Sequence, residues 1–163
     1  MVTKKSEVYL GIDPGIADTG FGLILCEGVK MTCLAYGSIK TSSKKVLEDR
    51  LLELYDNLHI LIDRFKPDRA GIEELFFTNN AKSALIVGQA RGVALLALKQ
   101  HHIHILEFTP LQVKQAVSTY GKADKPQIQR MVKMLLNLKE IPKPDDAADA
   151  LAIAICAANS IKL

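Results

Sequence analysis

The sequence predicts an α/β domain built around a mixed five-stranded β-sheet, and three observations lead to this class. The first part of the chain holds three β-rich segments with alternating apolar residues, joined by short turns. Two further short strands follow, separated by long stretches with the three-and-four apolar spacing of helices. Strand, helix and strand in succession indicate a parallel crossover. With a length of 163 residues, the chain is expected to form one domain over residues 1–163.

The three strands at the start of the chain are predicted to form an antiparallel meander. Residues 8–13 are an apolar run that ends at the turn-forming pair Pro14 and Gly15. Residues 19–26 and 31–39 are two more strand candidates, separated by a short turn around Gly28. Short turns of this kind join neighbouring antiparallel strands.

Helices and strands alternate through the middle of the chain. Residues 45–65 carry the apolar spacing of an amphipathic helix, which Pro67 ends. Residues 69–73 are a short strand, residues 81–100 a long helix and residues 104–108 a fifth strand. The helix between the last two strands supplies the crossover that parallel pairing needs.

Three helices are predicted after the fifth strand. Pro110 opens the first of them and Gly121 breaks it, while Pro126 lies in the first turn of the next. Residues 139–144 form a linker, and the last helix is expected to cover residues 145–160. Together with the earlier elements, these helices can cover both faces of the sheet.

Charge and cysteine usage limit the functional classes. The net charge is +3, but residues 109–143 carry seven Lys or Arg against two acidic residues, so this segment is +5 and the rest of the chain is −2. A basic segment of this kind suits a polyanion-binding face, although a solvated helix can look similar. The three cysteines lack the spacing of a zinc site, and no secretory signal core or uninterrupted apolar run of membrane-span length is present. A cytoplasmic location is expected.

Acidic residues lie at the ends of two predicted strands and at the start of the last helix. Asp13 follows the first strand and Glu73 ends the fourth, and ligands of α/β sheets gather beyond the carboxyl ends of such strands. Asp146 and Asp149 are three residues apart, so they share one helical face. Carboxylates that converge there would repel each other unless cations neutralised them.

Hard oxygen ligands suit Mg²⁺ or Mn²⁺, and two such ions roughly 3.5 to 4 Å apart can activate a water and stabilise a leaving oxygen in phosphodiester hydrolysis. Each acid also has an ordinary alternative. Asp13 can be a turn residue, Asp145 an N-cap and Asp146 a partner of the helix dipole. Asp149 is harder to explain in this way, because it interrupts an apolar helix and a buried unpaired carboxylate is costly.

Several motifs, in order and spacing, resemble the RuvC crossover-junction endodeoxyribonucleases, over about residues 8–157. The full ordered set of motifs is much more specific than the first motif, GIDPG, alone. The matching segments are GIDPG at residues 11–15, Thr19-Gly20, Ile72-Glu73, AKSALIVGQARG at residues 81–92, QVKQ at residues 112–115 and DAADALA at residues 146–152.

The resemblance implies a ribonuclease-H-like fold and a Mg²⁺-dependent nuclease with two ions per active site, for which Mn²⁺ can substitute. It implies that the catalytic, metal-binding acids are Asp13, Glu73, Asp146 and Asp149. Basic residues near the cut DNA map to Lys114 and Lys125, and an aromatic residue beside the active site maps to Phe76.

Proteins of this family work as homodimers that make paired symmetric nicks in four-way (Holliday) DNA junctions. They act in recombination and repair, together with the RuvA and RuvB branch-migration complex.

Strand parity adds an argument for Phe76. Side chains alternate along an extended strand, so Leu75 and Phe77 would share the core side. Phe76 would then point towards the acids, where it could act as a wedge.

The long helix over residues 81–100 is apolar almost all round, so a second burial beyond the sheet is expected. Gly88 and Gly92 are four residues apart and would permit close helix approach, which favours a subunit interface over packing within the monomer. The nearby histidines, His101, His102 and His104, are interpreted as cations near a helix end rather than as metal ligands.

Three rival functions remain open from the residues. An actin-like sugar kinase shares a related phosphate loop but needs two such domains. A ribonuclease-H-like enzyme acting on RNA would not need the long apolar helix or the Lys114 to Lys125 segment. A junction-binding protein without catalysis would not need intact acids.

Overall fold

The structure is a computed structural model, and it describes residues 6–75, 80–119 and 121–160. Within these residues the chain forms five strands and five helices. The strands are β1 (Ser6–Asp13), β2 (Asp18–Glu27), β3 (Lys30–Lys40), β4 (Arg69–Glu73) and β5 (His104–Phe108). The helices are α1 (Leu47–Phe65), α2 (Ala81–Gln100), α3 (Pro110–Ser118), α4 (Lys125–Leu135) and α5 (Asp145–Ser160).

The five strands form one mixed sheet in the order β3-β2-β1-β4-β5. The β1–β2 and β2–β3 pairs are antiparallel, and the β1–β4 and β4–β5 pairs are parallel. The carboxyl ends of β1, β4 and β5 therefore meet at one edge of the sheet. The predicted mixed five-stranded α/β architecture is confirmed.

Each face of the sheet is covered by helices and has its own apolar core. On one face, α3, α4 and α5 pack around Leu151, Ile153 and Ile155. On the other, α1 and α2 pack through residues such as Leu58 and Leu98. Both faces of the central strand β1 are thus buried, as expected for a strand with parallel neighbours.

The last helix, α5, lies against the sheet at unusually short range because glycines replace side chains beneath it. A Cβ atom added at Gly11 would overlap the carbonyl oxygen of Ala150, and one at Gly20 would overlap that of Asp146. A Cβ at Gly22 would lie 2.8 Å from the side chain and backbone nitrogen of Leu151. These three glycines on β1 and β2 fix where the first turns of α5 sit.

Helix ends follow the local chemistry of their residues. Asp124 accepts a hydrogen bond from the backbone N–H of Gln127. The side-chain oxygen of Gln127 accepts in turn from the backbone N–H of Asp124, so the two residues together cap the start of α4. The α3 helix ends at Ser118, before Gly121, because Thr119 adopts a left-handed conformation with φ of 60°. Asp145 was expected to be an N-cap and is instead the first residue of α5. The carbonyl oxygen of Pro144 accepts hydrogen bonds from backbone N–H groups in the first turn of this helix.

One helix in the described ranges, α2, is long and apolar enough to cross a membrane by length and composition. In the single chain, 28% of the most apolar 18-residue window of this helix is buried. The chain has no uninterrupted apolar run of this length, because Arg91 lies inside α2. Ala90, Ala94 and Leu98 of the same helix are buried against the sheet and α1.

Candidate active site

Asp13 is the last residue of β1 and leads into a turn that two threonines hold. The buried hydroxyl of Thr19 donates to the carbonyl oxygen of Gly15 at 2.5 Å. The hydroxyl of Thr41 donates to the carbonyl oxygen of Ile16, and the Thr41 backbone N–H donates to Ala17 at 3.1 Å. The turn after Asp13 is therefore fixed from both β2 and the end of β3.

Glu73 ends β4, next to β1 in the sheet, and an arginine from α2 holds the backbone there. Arg91 donates from Nε to the carbonyl oxygen of Glu73 at 3.1 Å and forms an ion pair with Glu107 of β5. The arginine thus joins α2 to the ends of two parallel strands. The side chain of Glu73 lines a cleft together with Asp13.

The first turns of α5 supply the other two predicted acids. Carboxylate oxygens of Asp13, Asp146 and Asp149 lie within 4.8 Å of one another. Glu73 is not part of that close group, but it lines the same cleft of about 300 Å³ as Asp13 and Asp149. The structure therefore brings residues from three separate parts of the chain to the carboxyl edge of the sheet.

Burial and mutual repulsion dominate the electrostatics of these acids. Burial, followed by the charges of Asp149, Asp146 and Glu73, raises the pKa of Asp13 to about 7 from its ordinary value of 3.8. Burial is also the largest cause of the raised pKa values of Glu73, Asp146 and Asp149. The fold therefore holds these groups where ionising all of them is unfavourable without added positive charge.

Lys125, the first residue of α4, supplies one positive charge to the cluster. Its Nζ atom lies 3.2 Å from Oδ2 of Asp149 and 3.4 Å from Oδ2 of Asp145. The other oxygen of Asp145 accepts from the side-chain amide of Gln129 at 3.0 Å. Both Asp145 oxygens are thus engaged on the α4 side of the cleft, and Asp145 is absent from the three-acid group.

Lys114 of α3 is the second predicted basic residue, and it also lines the cleft. Its charge lowers the pKa of Glu73, against the larger effect of burial. The two lysines therefore line the same cleft, one near Glu73 and the other near Asp149. A negatively charged backbone that entered the cleft would meet both.

The structure brings together six of the seven predicted site residues, and the seventh, Phe76, lies outside the described residues. Two further residues beside the site were not predicted. Arg91 holds β4 and β5, and the carboxylate of Asp18 raises the pKa of Asp146. The motif over residues 81–92 contains Arg91, but its partners are distant in sequence, so no local pattern identifies them.

The donor set fits hard divalent cations. It consists of carboxylate oxygens alone, the ligands that Mg²⁺ and Mn²⁺ prefer, and three of them already converge. A cation would also offset the repulsion that raises the pKa of Asp13. Asp13, Glu73, Asp146 and Asp149 are the residues that could hold it.

Comparisons with known proteins agree on one family. The family model described as "Crossover junction endodeoxyribonuclease RuvC" matches residues 9–157. A protein of that description from Alkaliphilus metalliredigens is 55% identical over 153 residues, covering 94% of this chain and 93% of the relative. The one from Halothermothrix orenii is 55% identical over 156 residues, covering 96% and 94%.

A solved structure gives the same result. "T. thermophilus RuvC in complex with Holliday junction substrate" superposes with a TM-score of 0.87 and 34% sequence identity. The match covers 95% of each chain. The similarity thus extends over nearly the whole chain.

Proposed function

Because the chain belongs to the RuvC family of crossover junction endodeoxyribonucleases, it is a nuclease that resolves four-way DNA junctions, and we propose that Asp13, Glu73, Asp146 and Asp149 are its catalytic centre. The observation that carries this proposal is the convergence of the Asp13, Asp146 and Asp149 oxygens within 4.8 Å. Mutual repulsion disfavours such a group of carboxylates at a partly buried edge. A catalytic need for cations accounts for it.

Nucleases of this family depend on metal ions, and we propose that this chain uses two Mg²⁺ ions per active site, for which Mn²⁺ can substitute. Such ions would supply an activated water and stabilise the leaving oxygen of the phosphodiester. The four carboxylates would hold them, with Asp13 and Glu73 from the strands and Asp146 and Asp149 from α5. The Thr19 and Thr41 hydrogen bonds hold the backbone of the turn that follows Asp13.

We propose that Lys114 and Lys125 bind the phosphates next to the cut. Both line the cleft of the acids, and Lys125 is half-exposed, so its ammonium group can turn from Asp149 to a DNA phosphate. Positive charge at this point would stabilise the charge that develops in the transition state. Phe76, which the family resemblance places beside the active site, is proposed to stabilise an unstacked base at the junction crossover.

Paired symmetric nicks require two active sites, and we propose that two copies of the chain meet through α2. The outward stripe of this helix carries Leu85, Gln89, Gly92 and Leu96, at spacings of three and four residues. Leu85 is 66% exposed and Leu96 is 54% exposed in the single chain. No atom lies within 4 Å of a Cβ added at Gly92, so a second helix could approach closely there.

The family also suggests the cellular setting. We propose that the homodimer acts in the cytoplasm, in DNA recombination and repair, and that it cooperates with RuvA and RuvB. Cleavage by a purified complex of this chain with RuvA and RuvB, compared with the chain alone on a mobile junction, would test that cooperation.

Cleavage of a synthetic four-way junction by an Asp13→Asn variant tests the catalytic centre. The substitution removes a metal-binding carboxylate but keeps the side-chain shape, so cleavage should fall to a few per cent of wild type or less. Junction binding, measured by gel mobility in Ca²⁺ or without metal, should be retained. The matched control is Asp56→Asn, the same chemical change at an exposed position of α1.

The same assay without Mg²⁺ separates catalysis from binding alone. Wild type and the Asp56→Asn control should both cut only with the ion. Substantial cleavage by the Asp13→Asn variant would remove Asp13 from the centre. An RNA hybrid cut in preference to the junction would point instead to a ribonuclease-H-type activity.

A further inference from the structure

Arg91, in the middle of α2, contacts the ends of two parallel strands at the edge of the sheet that carries the acids. Its Nε atom donates to the carbonyl oxygen of Glu73 at 3.1 Å, and its Nη2 atom forms an ion pair with Glu107 of β5. The Arg91 side chain is only 15% exposed, so water competes weakly for these contacts. Arg91 lines the cleft of Asp13 and Glu73, but it is neither one of the proposed metal-binding acids nor one of the two lysines.

The peptide unit between Glu73 and Glu74 is held at both of its ends. Its carbonyl oxygen accepts from Arg91, and its N–H donates to the carbonyl oxygen of Phe108 at 2.8 Å. A peptide unit is planar, so two contacts at opposite ends fix its orientation. The direction in which the Glu73 side chain leaves the strand depends on this orientation and on the β4 backbone before it.

The contact with Arg91 lies where the pairing of β4 with β1 stops. β1 and β4 are paired as far as Ile12 and Ile72, whereas β4 and β5 are paired as far as Glu73 and Phe108. On the β1 side, the sheet therefore no longer sets the backbone of β4 at Glu73. Arg91 supplies a hydrogen bond from α2 at this point.

The chemistry of arginine suits this position. A guanidinium group carries five N–H donors in a rigid planar fork, so a single side chain can serve a carbonyl oxygen and a carboxylate at once. A lysine ammonium is a compact charge without this fork. Glu107 orients the guanidinium from β5, and it directly precedes Phe108, which holds the other end of the peptide unit after Glu73.

We propose that Arg91 is a positioning residue for metal binding, because it holds the peptide unit that sets the direction of the Glu73 carboxylate. This inference rests on the proposed function, in which Glu73 is a metal ligand. Glu73 lies outside the close group of three carboxylates, so its contribution to the site depends on how its own backbone is held. Groups that orient metal ligands from outside the site change metal affinity by about 10- to 100-fold when they are lost.

An Arg91→Gln variant tests the proposal through its metal dependence. Glutamine is shorter and uncharged, so it should lose both contacts. The Mg²⁺ concentration for half-maximal junction cleavage should rise about tenfold, while the rate at saturating Mg²⁺ should fall less. The affinity for Mn²⁺ without DNA, measured by titration calorimetry on folded protein, should fall by a similar factor. Arg91→Lys keeps the charge without the planar fork and should show a smaller loss of the same kind.

Two control variants separate positioning from other roles of the arginine. Glu107→Gln removes the ion pair but keeps an oxygen acceptor for Arg91, and Arg64→Gln removes an exposed charge of α1. Both should keep nearly wild-type affinity for Mn²⁺. An affinity in Glu107→Gln as low as in Arg91→Gln overturns the proposal, because the ion pair and not the Glu73 contact would then be responsible.

Two other results would also overturn it. The first is wild-type affinity for Mn²⁺ in both Arg91 variants, even if their thermal stability is lower, since the contact would then serve stability alone. The second is weaker junction binding in Ca²⁺ with an unchanged Mg²⁺ dependence, since Arg91 would then contact the DNA itself.

A Glu73→Gln variant distinguishes failure of this inference from failure of the proposed function. If Glu73→Gln loses cleavage and affinity for Mn²⁺ while Arg91→Gln keeps both, only the role of Arg91 is wrong. If Glu73→Gln cuts junctions and binds Mn²⁺ as the wild type does, Glu73 is not a metal ligand and both proposals fail.

Discussion

At the scale of single residues, the main property of the acidic edge of the sheet is that the fold holds several acids close together although they repel each other. The pKa of Asp13 rises to about 7 through burial and through the charges of Asp149, Asp146 and Glu73. Because the folded-state pKa lies above the ordinary value of 3.8, this group favours folding at low pH. That contribution is lost as the pH rises towards about 7, where the ionised form needs a cation.

The first prediction at this scale concerns pH and Mg²⁺. Well below Mg²⁺ saturation, the cleavage rate should rise about tenfold per pH unit up to about pH 7 and then level off, because a proton on Asp13 competes with the ion. Raising the Mg²⁺ concentration should shift the midpoint to lower pH. Single-turnover cleavage from about pH 5.5 to about pH 8 measures both effects. A pH midpoint that does not change with the Mg²⁺ concentration would contradict this competition.

The second prediction concerns the two lysines of the cleft. Lys125→Ala and Lys114→Ala should each slow cleavage by about 10- to 100-fold while junction affinity changes less, because their charge is needed most in the transition state. Stability should change by no more than about 1 kcal/mol, since the Lys125 ion pairs are half-exposed. Lys30→Ala, at an exposed end of β3, is the control. Wild-type rates in both cleft variants would place the DNA elsewhere.

At the scale of elements, the position of α5 decides whether the site exists. Two of the four acids lie in its first turns, and Gly11, Gly20 and Gly22 let the helix backbone lie directly on β1 and β2. Gly20 is the cross-strand partner of Asp13 in the sheet and also lies beneath the carbonyl of Asp146. A single glycine therefore controls the approach of the strand acid to the helix acids.

A Gly20→Ala variant tests this control. The added methyl group would overlap the Asp146 carbonyl, so α5 must shift. We expect a loss of about 1 to 3 kcal/mol in the free energy of unfolding, and a drop in cleavage of at least about tenfold in protein that is still folded. Urea unfolding and junction cleavage measure the two effects. The control is Ser38→Ala, at the residue that pairs with Gly20 on β3.

Most elements could be predicted from the sequence because their ends are set locally. The bounds of β4, α2, β5 and α5 match the predicted ranges, and Pro110 begins α3 as expected. The end of α3 was missed, because the left-handed conformation of Thr119 has no marker in its residue type. Contacts between distant segments could not be derived either, as the hydrogen bond between the rings of His59 on α1 and His101 after α2 illustrates.

That the acids converge could be predicted in part, for a different reason. The spacing of Asp146 and Asp149 places them on one helical face, and Asp13 and Glu73 end neighbouring parallel strands. The close approach of the strand acids to the helix acids depends on the glycines beneath α5. This is a tertiary contact, which local sequence patterns do not reveal. The ion pairs of Lys125 with Asp145 and Asp149 also depend on how α4 packs on α5.

At the scale of the whole molecule, α2 has one face on the sheet and one stripe that the single chain leaves uncovered. Ala90, Ala94 and Leu98 are buried, whereas Leu85, Gly92 and Leu96 lie on the outward side. The apolar character all round the helix agrees with a second burial, for which another copy of the chain is the proposed partner. Arg91 connects the same helix to Glu73, so the proposed interface and the site share one element.

Gly92→Glu tests the proposed interface. A Cβ atom added at Gly92 meets nothing within 4 Å, and the position is exposed, so the stability of the monomer fold should be nearly unchanged. Two glutamates at close range across an α2–α2 contact should repel, and sedimentation should show monomers that make single rather than paired nicks. Ser43→Glu, which adds the same charge at an exposed turn, is the control. A dimeric and fully active Gly92→Glu protein would move the interface to another surface.

The seating of α5 on the glycines of β1 and β2 also has a consequence during protein synthesis. The ribosome releases Asp13 and Glu73 long before Asp146 and Asp149, because α5 is the last helix of the described residues. Until α5 docks, the nascent chain has only Asp13 and Glu73 of the four proposed metal-binding acids. We therefore expect that a chain in which α5 has not docked on β1 and β2 does not cut DNA.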